Sequence, residues 1–432
     1  MKLLIKNGLV ADLENRDFIK SDILIKDGRI LKIGKKINQA SARHIDAENK
    51  HVLPGLIDIH AHLREPGRED EEDIESGSYS ALSGGFTTIC CMPNTQPPID
   101  NAGLIRFIKD KVDRLGIISV YPVGAITKAR AGVEIAEMIK MKEAGCIAFS
   151  DDGNWVSSSL LMRRAMEYSL VCGAPLILHC EDSSLSKSGL MNEGIFSVKM
   201  GLSGMPRESE IIAVQRDIEI ARLTGARVHF THLSCKESAA LVAKAKKDGL
   251  DVTADVTVHH LTLTEDDVAG YETNAKVNPP LRTAQDRAAL IEGIKTGVID
   301  AIATDHAPHS KEEKDCEFQE ASFGMIGFET ALAGVLKIAK ENKIDIFTVI
   351  EKMSLNPARI LSLKNKALLK EGYDADIIIV DFDAEWVFNE DSIISKSKNS
   401  PFIGRSFKGR VKTAISKGSL LLNNFKIKEA AK

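Results

Sequence analysis

The 432-residue sequence has no apolar run that approaches the roughly 20 residues needed to cross a bilayer. It also has no block of Lys and Arg interleaved with aromatic residues, and its net charge of −4 gives no overall basic field for nucleic acid. Charged residues interrupt the first apolar stretch, MKLLIKNGLVADLENRD, which excludes a signal-peptide layout. We therefore expect a cytoplasmic protein with neither nucleic acid nor membrane as a partner.

Cysteine is scarce, and its pattern is not that of a metal or disulfide framework. The sequence contains seven cysteines and no Cys-x-x-Cys pair. An odd count in mostly apolar contexts is typical of reduced thiols that pack as small hydrophobes. Cys180 neighbours His179, but strand alternation points the two side chains to opposite faces. We expect Cys180 to be a buried core thiol rather than a ligand or nucleophile.

Eight short apolar segments each run into a cluster of polar residues, and nine of the eleven histidines lie in or just after them. Helical patterns with apolar residues recurring at three and four positions fill the intervening stretches. This repeat predicts a (β/α)₈ barrel, whose active site forms at the carboxyl ends of its strands. The segments are Gly55–Arg64, Phe86–Thr95, Ile118–Thr127, Gly145–Gly153, Pro175–Asp182, Arg227–Ser234, Val252–His260 and Gly297–His309.

Segments rich in β-forming residues bracket this repeat at both ends of the chain. KLLIKNGLVADL and SDILIKDGRILKIG come first, and Asp27 with Gly28 marks a tight hairpin turn. ADIIIVDFD and GRVKTAISKGSLL close the chain in the same style. Because chain termini often lie close together, we expect these segments to pair into one small β-sandwich. The predicted organisation is 1–51 and 366–432 in the sandwich and 52–365 in the barrel.

Two stretches, 183–206 and 310–327, break the strand and helix repeat. Long loops inside compact domains are more often functional than idle. We interpret 310–327 as a segment that covers the substrate. For 183–206 a solvated insertion explains the sequence equally well.

Ligand types for a metal ion gather at the ends of the predicted strands. His60 and His62 are two residues apart on an apolar strand, so both side chains point to the same face and can reach one ion. Four imidazoles and two carboxylates form a nitrogen and oxygen set that suits zinc, and manganese or cobalt less well. The further ligand types, at the ends of strands 4, 5, 6 and 8, are Asp152, His179, His232 and Asp305.

Such a set has a chemical purpose. A divalent cation lowers the pKa of bound water from 15.7 to about 7, which supplies a hydroxide nucleophile at neutral pH. A carboxylate must then accept the proton during attack and return it to the departing nitrogen, and we assign this role to Asp305. Of the neighbours Asp151 and Asp152 only one can face inward, and Asp152, nearer the strand tip, is the better bridging candidate.

Eight motifs stand out along the chain, namely DIHAHLREPG (58–67), CMPNT (91–95), FSDDG (149–153), LHCED (178–182), THLS (231–234), KVNPPLR (276–282), ATDHAPH (303–309) and FGMIGFET (323–330). Together they resemble the class I dihydroorotases of the cyclic amidohydrolase superfamily, and the resemblance covers nearly the whole chain. It implies reversible cyclisation of N-carbamoyl-L-aspartate to (S)-dihydroorotate, the third step of de novo pyrimidine synthesis. The opening motif and ATDHAPH are highly specific together.

The resemblance also implies a ligand set for one or two zinc ions, with two expected. His60, His62 and Asp305 would hold the first ion, His179 and His232 the second, and Asp152 would bridge them. Several relatives bridge with a carboxylated lysine on strand 4, where this sequence has FSDDG and no lysine. An aspartate side chain is shorter than a carboxylated lysine.

Substrate contacts are implied in the same way. Arg64, Asn94 and His309 would fix the substrate's carboxylate, since they supply a planar charged fork and neutral donors. A surface ion pair is the alternative for Arg64, and a simple turn is the alternative for Asn278. The complete set is His62, Leu63, Arg64, Asn94, Asn278 and His309, with backbone groups of Phe323 and Gly324.

Two rival interpretations remain at this point. A sister amidohydrolase acting on allantoin or hydantoins would be expected to have the lysine bridge and to lack the arginine of LREPG. A non-catalytic scaffold for aspartate transcarbamoylase would be expected to lose ligands, and all six are present. We further expect a homo-oligomer, and a complex with aspartate transcarbamoylase stays open.

Overall fold

The eight predicted segments form the strands of a parallel (β/α)₈ barrel in the computed structural model, which describes residues 2–428. We call these barrel strands the staves and number them one to eight in chain order. The described residues contain eighteen strands and fourteen α-helices. The strands are β1 (Lys2–Asp12), β2 (Asp17–Lys26), β3 (Arg29–Gly34), β4 (Arg43–Asp46), β5 (His51–Pro54), β6 (Leu56–Ala61), β7 (Phe86–Cys91), β8 (Ser119–Pro122), β9 (Leu176–Leu178), β10 (Met191–Asn192), β11 (Gly204–Met205), β12 (Val228–Phe230), β13 (Val252–Thr257), β14 (Ala301–Ala303), β15 (Ile377–Val387), β16 (Ser406–Ser416), β17 (Ser419–Asn423) and β18 (Lys426–Ile427). The helices are α1 (Ile74–Ser83), α2 (Ala102–Leu115), α3 (Met138–Ala144), α4 (Ser159–Cys172), α5 (Ser183–Ser186), α6 (Ile195–Met200), α7 (Glu208–Thr224), α8 (Lys236–Lys247), α9 (Val258–Thr262), α10 (Ala284–Thr296), α11 (Lys311–Lys314), α12 (Phe328–Asn342), α13 (Ile346–Ile350) and α14 (Asn356–Ile360).

The barrel closes through two ladders and a few single bridges. Strands β6, β7 and β8 form one parallel ladder, and β9, β12, β13 and β14 form the other. Phe149 represents the fourth stave, because it bridges Gly124 on one side and Leu176 on the other. A bridge between Ala61 and His306 joins the last stave to the first. The polar ends of all eight staves therefore meet at one mouth, as predicted.

Helix α2 shows how the outer ring is built. Asn101 accepts hydrogen bonds from the backbone N–H groups of Gly103 and Leu104, which satisfies free donors at the helix start. The helix ends at Gly116, whose φ of 62° is the left-handed conformation that glycine adopts without strain. Ile105, Ile108 and Val112 recur at helical spacing and are buried, each contributing about 1.5–3 kcal/mol relative to an exposed side chain.

The two ends of the chain pair as predicted, and they form one continuous sheet of nine strands. Strand β5 lies between β1 and β15, and this is where the N-terminal and C-terminal segments join. Because β5 runs to Pro54, the sheet extends three residues beyond the boundary that we expected at 51. Side chains such as Ile23 and Ile377 form an apolar cluster separate from the barrel core.

Within residues 2–428, none of the helices is long and apolar enough to cross a membrane. All seven cysteines are free thiols. Cys180 is buried, and burial raises the pKa of its thiol well above the usual value, which keeps it protonated. Residues 183–206 contain the short elements α5, β10, α6 and β11 rather than an unstructured insertion.

Candidate active site at the barrel mouth

Six side chains from five staves meet at the carboxyl end of the barrel. His60 lies in β6, and the other five follow their strands by one to three residues. All six are buried, with at most 6% of the residue exposed. The structure therefore brings together the whole set that we predicted from strand ends, namely His60, His62, Asp152, His179, His232 and Asp305.

Three of these residues form a first group. Nε2 of His62 lies 3.0 Å from Oδ1 of Asp305, and Nε2 of His60 lies 3.5 Å from the same oxygen. Nε2 of His60 is buried and has no hydrogen-bond partner within the described chain. Two imidazole nitrogens and a carboxylate oxygen thus converge on one point, which is the donor set that a zinc ion uses.

A second group shares Asp152 with the first. Oδ2 of Asp152 lies 3.3 Å from Nε2 of His60, whereas Oδ1 lies 3.4 Å from Nε2 of His232. Nδ1 of His179 lies 3.0 Å from that His232 nitrogen and 3.7 Å from Oδ1 of Asp152. The two oxygens of Asp152 therefore face different imidazoles, which is the arrangement that a bridging carboxylate needs.

The electrostatics of the cluster are those of a cation site. Burial opposes a charge on His60, but Asp152 and Asp305 outweigh it and raise the pKa of His60 to about 10. Burial likewise opposes the charged forms of Asp152 and Asp305, yet the neighbouring histidines hold the pKa of both carboxyls well below the usual range. Positive charge is thus favoured between these carboxylates.

Backbone geometry at two of the six residues is unusual. His232 has a φ of 41° and Asp305 a φ of 47°, a region that non-glycine residues seldom occupy. The N–H of His232 donates to Oδ1 of Asp255 at 2.7 Å, and the N–H of Asp305 donates to the His60 carbonyl at 3.0 Å. Such strain is held in place by surrounding bonds and is common at functional sites.

Residues behind the cluster orient its imidazoles, and two of them were missed from the sequence. Nδ1 of His60 lies 2.6 Å from Oγ1 of Thr231, which donates to Asp255 at 2.9 Å. Nε2 of His179 lies 3.0 Å from Oε2 of Glu181. Fixing the outer ring nitrogen sets the tautomer and aim of the inner one. Asp255, a polar residue inside the strand VTADVT, and Glu181 in LHCED were the available signals.

Asp151 has a different task from its neighbour. Its Oδ1 accepts hydrogen bonds from the backbone N–H groups of Ile126 and Thr127, at 2.9 and 3.0 Å, and the Thr127 hydroxyl donates to Oδ2. Asp151 therefore ties the tip of the third stave to the fourth. Asp152 alone of this pair enters the cluster, as strand alternation predicts.

The predicted carboxylate anchors lie beside the cluster. Nη2 of Arg64 lies 3.2 Å from Nε2 of His309, and Nε of Arg64 lies 3.1 Å from the buried carboxylate of Glu71. Arg64 is thus paired with a buried carboxylate and not in a surface ion pair. Oδ1 of Asn94 lies 2.8 Å from Nδ1 of His62, so Asn94 also orients a cluster imidazole.

Among the other predicted substrate contacts, Asn278 has a polar atom without a partner in the described chain, whereas the Leu63 side chain and the Gly324 backbone are engaged elsewhere. Nδ2 of Asn278 donates to Glu181 at 2.6 Å, and its Oδ1 is buried without a partner in the described chain. The Leu63 side chain packs instead into the apolar core. Both backbone groups of Gly324 are occupied, by the Lys276 carbonyl and by Lys314 Nζ. This pattern gives no support to a substrate contact from the Gly324 backbone.

Two buried lysines hold the segment 310–327 in place. Nζ of Lys276 donates to the carbonyls of Phe318 and Ala321, at 2.7 and 2.6 Å. Nζ of Lys314 donates to the carbonyls of Ser322 and Gly324, and burial lowers its pKa to about 7. These bonds hold the segment in a defined conformation next to His309.

The four histidines without an assigned role stay outside the six-residue set. His229 pairs with Asp255 at 2.8 Å, and His260 lies 3.1 Å from the Pro279 carbonyl. His306 stacks on Phe328 with ring centroids 4.0 Å apart. His259 is buried, and burial lowers its pKa well below the ordinary value.

Comparison with known proteins shows the family of this chain. A model of the amidohydrolase family matches residues 51–421. A dihydroorotase from Caldicellulosiruptor saccharolyticus is 49% identical over 422 residues, which cover 97% of this chain and 98% of that protein. A dihydroorotase from Pelotomaculum thermopropionicum is 47% identical over 98% of this chain and 99% of its own. The chain therefore belongs to the amidohydrolase family and, within it, to the dihydroorotases.

Solved structures confirm the fold. The L-hydantoinase (dihydropyrimidinase) from Arthrobacter aurescens superposes with a TM-score of 0.87 at 24% identity, over 99% of this chain and 97% of its own. The D-hydantoinase from Thermus sp. gives a TM-score of 0.86 at 22% identity, over 99% of this chain and 97% of its own. These enzymes share the barrel with its terminal β domain.

Proposed function

We propose that this chain catalyses the reversible cyclisation of N-carbamoyl-L-aspartate to (S)-dihydroorotate, with loss of water, in pyrimidine biosynthesis. One observation carries the proposal most directly. Six metal-ligand side chains converge beside an arginine and a histidine that suit a carboxylate, in a chain 45–49% identical to proteins named dihydroorotase. A cyclic amide that bears a carboxylate is the substrate that this combination favours.

We propose zinc as the metal and two ions as the complement. His60, His62 and Asp305 would hold one ion, His179 and His232 the other, and Asp152 would lie between them. The orphaned, buried Nε2 of His60 supports this, because a nitrogen without a hydrogen bond is costly unless a ligand uses it. When bound, such cations lower the pKa of water and polarise a carbonyl oxygen.

Asp305 is proposed as the proton shuttle. The neighbouring His60 and His62 keep its pKa far below the ordinary value despite burial, so its carboxylate is ionised and able to accept a proton. In the hydrolytic direction it takes a proton from the attacking water and delivers it to the ring nitrogen that leaves. Cyclisation follows the same path in reverse.

The substrate would be oriented by groups on the open side of the cluster. Arg64, His309 and Asn94 would hold the substrate's carboxylate. Asn94 is placed beside the cluster by its contact with His62. The buried Oδ1 of Asn278 has no partner among the described residues, and it offers an acceptor to an N–H of the ring. The backbone N–H of Phe323 completes the proposed contacts.

The test combines metal analysis with a substrate comparison. We expect the purified chain to contain zinc and to turn over dihydroorotate, with hydantoin and allantoin as much poorer substrates. Turnover of hydantoin or allantoin in preference to dihydroorotate would favour the sister activity. A zinc-free chain that is inactive on all three would favour a scaffold role instead.

Assembly and location stay predictions from the sequence. We propose a homo-oligomer, with a complex of aspartate transcarbamoylase as an alternative, and a cytoplasmic location. Sedimentation of the purified chain measures the oligomeric state. Comparing dihydroorotase activity with and without added aspartate transcarbamoylase tests the complex.

A further inference from the structure

Arg130 is an arginine without a charged partner at the mouth of the barrel. It ends the short turn Lys128–Arg130, which follows the third stave. Its Nε is buried and has no hydrogen-bond partner within the described chain. Nη2 donates to the backbone carbonyl of Asp151 over 3.4 Å, and among residues 2–428 the side chain has neither another hydrogen bond nor an ion pair. Because a guanidinium has five donors, most of them are free to bind an anion.

The backbone around Arg130 is strained and is held by other segments. Ala129 has a φ of 51° and Arg130 a φ of 55°, and two successive non-glycine residues in the left-handed region are rare. The N–H of Ala129 donates to Oδ2 of Asp100 at 2.8 Å. Nδ2 of Asn154 donates to the Arg130 carbonyl at 2.9 Å. Strain that the surroundings maintain in this way is concentrated at functional sites.

Arg130 and Arg64 approach the candidate metal ligands from different sides. The carbonyl that Arg130 contacts belongs to the residue directly before Asp152, whose two oxygens face different imidazoles. Arg64 follows the first stave, and its Nε donates to the Pro308 carbonyl, beyond the eighth stave, at 3.0 Å. In a closed barrel the first and eighth staves are neighbours, whereas the third and fourth lie farther round the mouth. A substrate held at Arg64 therefore has a second cationic group on another side of the cluster.

The two substrates of the proposed reaction differ by one negative charge. Dihydroorotate carries one carboxylate, whereas N-carbamoyl-L-aspartate carries two, because ring closure converts the second into an amide carbonyl. Arg64 is assigned to the carboxylate that both substrates share, and it already has a carboxylate partner in Glu71. Arg130 has no such partner. A guanidinium binds a carboxylate through charge-assisted hydrogen bonds, which are strong where water is excluded.

We propose that Arg130 is a specificity-determining residue that binds the second carboxylate of N-carbamoyl-L-aspartate, the one that ring closure consumes. The proposal rests on the proposed function and deepens it, because Arg130 lies outside the eight motifs. Ring closure joins the terminal ureido nitrogen to the carbon of that carboxylate, takes up one proton and releases one water. The product has a neutral carbonyl at this position, so Arg130 stabilises the open-chain dianion more than the ring.

Calorimetry with two probes that cannot cyclise measures this contact directly. N-acetyl-L-aspartate and N-acetyl-L-asparagine lack the terminal ureido nitrogen, and they differ only in a side-chain carboxylate against a neutral amide. In metal-loaded Arg130→Gln we expect the Kd of N-acetyl-L-aspartate to rise about tenfold, because a charge-assisted hydrogen bond is lost. The Kd of N-acetyl-L-asparagine should stay within about twofold of the wild-type value.

Two further variants calibrate this result. Lys128→Gln removes an exposed positive charge from the same turn and should bind both probes like the wild type. Arg130→Lys keeps the charge without the planar fork, so its Kd for N-acetyl-L-aspartate should lie between those of the wild type and Arg130→Gln. Bound metal per chain, measured on the same samples, should be unchanged in all three variants.

Steady-state kinetics in both directions give an independent readout. In Arg130→Gln the KM for N-carbamoyl-L-aspartate should rise about tenfold, with the KM for dihydroorotate within about twofold of the wild type. Both directions share one equilibrium constant at a given pH. The ratio of kcat for ring closure to kcat for ring opening must therefore rise by the same factor. A purely structural role would instead lower kcat in both directions without this change in ratio.

The outcomes separate this proposal from the proposed function. An unchanged Kd for N-acetyl-L-aspartate in Arg130→Gln, or an equal loss of affinity for both probes, would overturn the proposal. Loss of bound metal from Arg130→Gln would also overturn it, since Arg130 would then support the metal ligands and not the substrate. A wild type that turns over neither dihydroorotate nor N-carbamoyl-L-aspartate would instead contradict the proposed function, whereas the probe titrations assess Arg130 without any turnover.

Discussion

Nε2 of His62 and Oδ1 of Asp305 lie 3.0 Å apart although the two residues are separated by 243 positions in the chain. One follows the first stave of the barrel and the other follows the last. The backbone reinforces this contact, because the N–H of His62 donates to the His306 carbonyl at 2.8 Å and the N–H of Asp305 donates to the His60 carbonyl. Closure of the barrel therefore assembles the site.

The role of Asp305 as proton shuttle predicts the effect of Asp305→Asn. The amide cannot accept a proton, so we expect kcat to fall by at least about 100-fold, the lower range for loss of a general base. Asp315→Asn, an exposed carboxylate of the segment 310–327, should leave kcat unchanged. Turnover and bound zinc are measured on the same samples. Wild-type turnover by an Asp305→Asn enzyme that retains metal would eliminate the shuttle role.

Asp151 and Asp152 provide a matched pair of neighbouring carboxylates. Asp152→Asn should lower the bound metal per chain and the activity, because the two carboxylate oxygens of Asp152 face the cluster imidazoles. Asp151→Asn should retain metal but lose about 1–3 kcal/mol of stability, since an amide accepts less well from three donors. Elemental analysis and thermal unfolding check both. Loss of metal from Asp151→Asn alone would reverse the assignment.

Much of the site was predictable because its candidate metal ligands lie at the carboxyl ends of barrel strands. His60 and His62 share a face through strand alternation, and parallel staves bring their carboxyl ends together whatever lies between them. Strand alternation also distinguishes Asp152 from Asp151, because neighbouring residues point to opposite faces. The pairing of terminal segments followed from their β pattern, although β5 reaches Pro54 and so passes the expected boundary.

The periodicity of the sequence does not predict contacts between segments that are distant in the chain. Glu71 lies in an acidic stretch that reads as a solvated turn, yet it is buried against His309, 238 positions away. Lys276 and Lys314 have the same character, since both are buried by bonds to carbonyls of the segment 310–327. The occupied backbone of Gly324 follows from those bonds as well. Such partners depend on how loops pack, which periodicity does not encode.

The proposed reaction predicts a pH-dependent equilibrium. Ring closure consumes one carboxylate charge and one proton, so the ratio of dihydroorotate to N-carbamoyl-L-aspartate should fall about tenfold for each pH unit above the range where that carboxyl ionises, about pH 4. Chromatography of mixtures brought to equilibrium from both directions, between pH 6 and pH 8, measures the ratio. An equilibrium ratio that does not change with pH would refute the reaction as written.

Glu329, at the start of α12, predicts a pH effect on stability that is separate from catalysis. Burial raises the pKa of its carboxyl to about 7, although the N–H groups of Ile394 and Ser395 partly stabilise the carboxylate. In the unfolded chain the pKa is about 4.3, so between these values the folded state holds a proton that the unfolded state has released. The free energy of unfolding should therefore decrease as pH rises, by up to about 1.4 kcal/mol per unit, and level off above pH 7.

The Glu329→Gln variant isolates this contribution, because its side chain does not titrate. The difference in thermal midpoint between wild type and Glu329→Gln should favour the wild type most at pH 5, shrink as the pH approaches 7, and stay constant above it. Glu341→Gln, an exposed carboxylate near the end of the same helix, should leave the pH dependence of the wild type unchanged. A difference between wild type and Glu329→Gln that is constant from pH 5 to pH 8 would show that Glu329 titrates alike in both states.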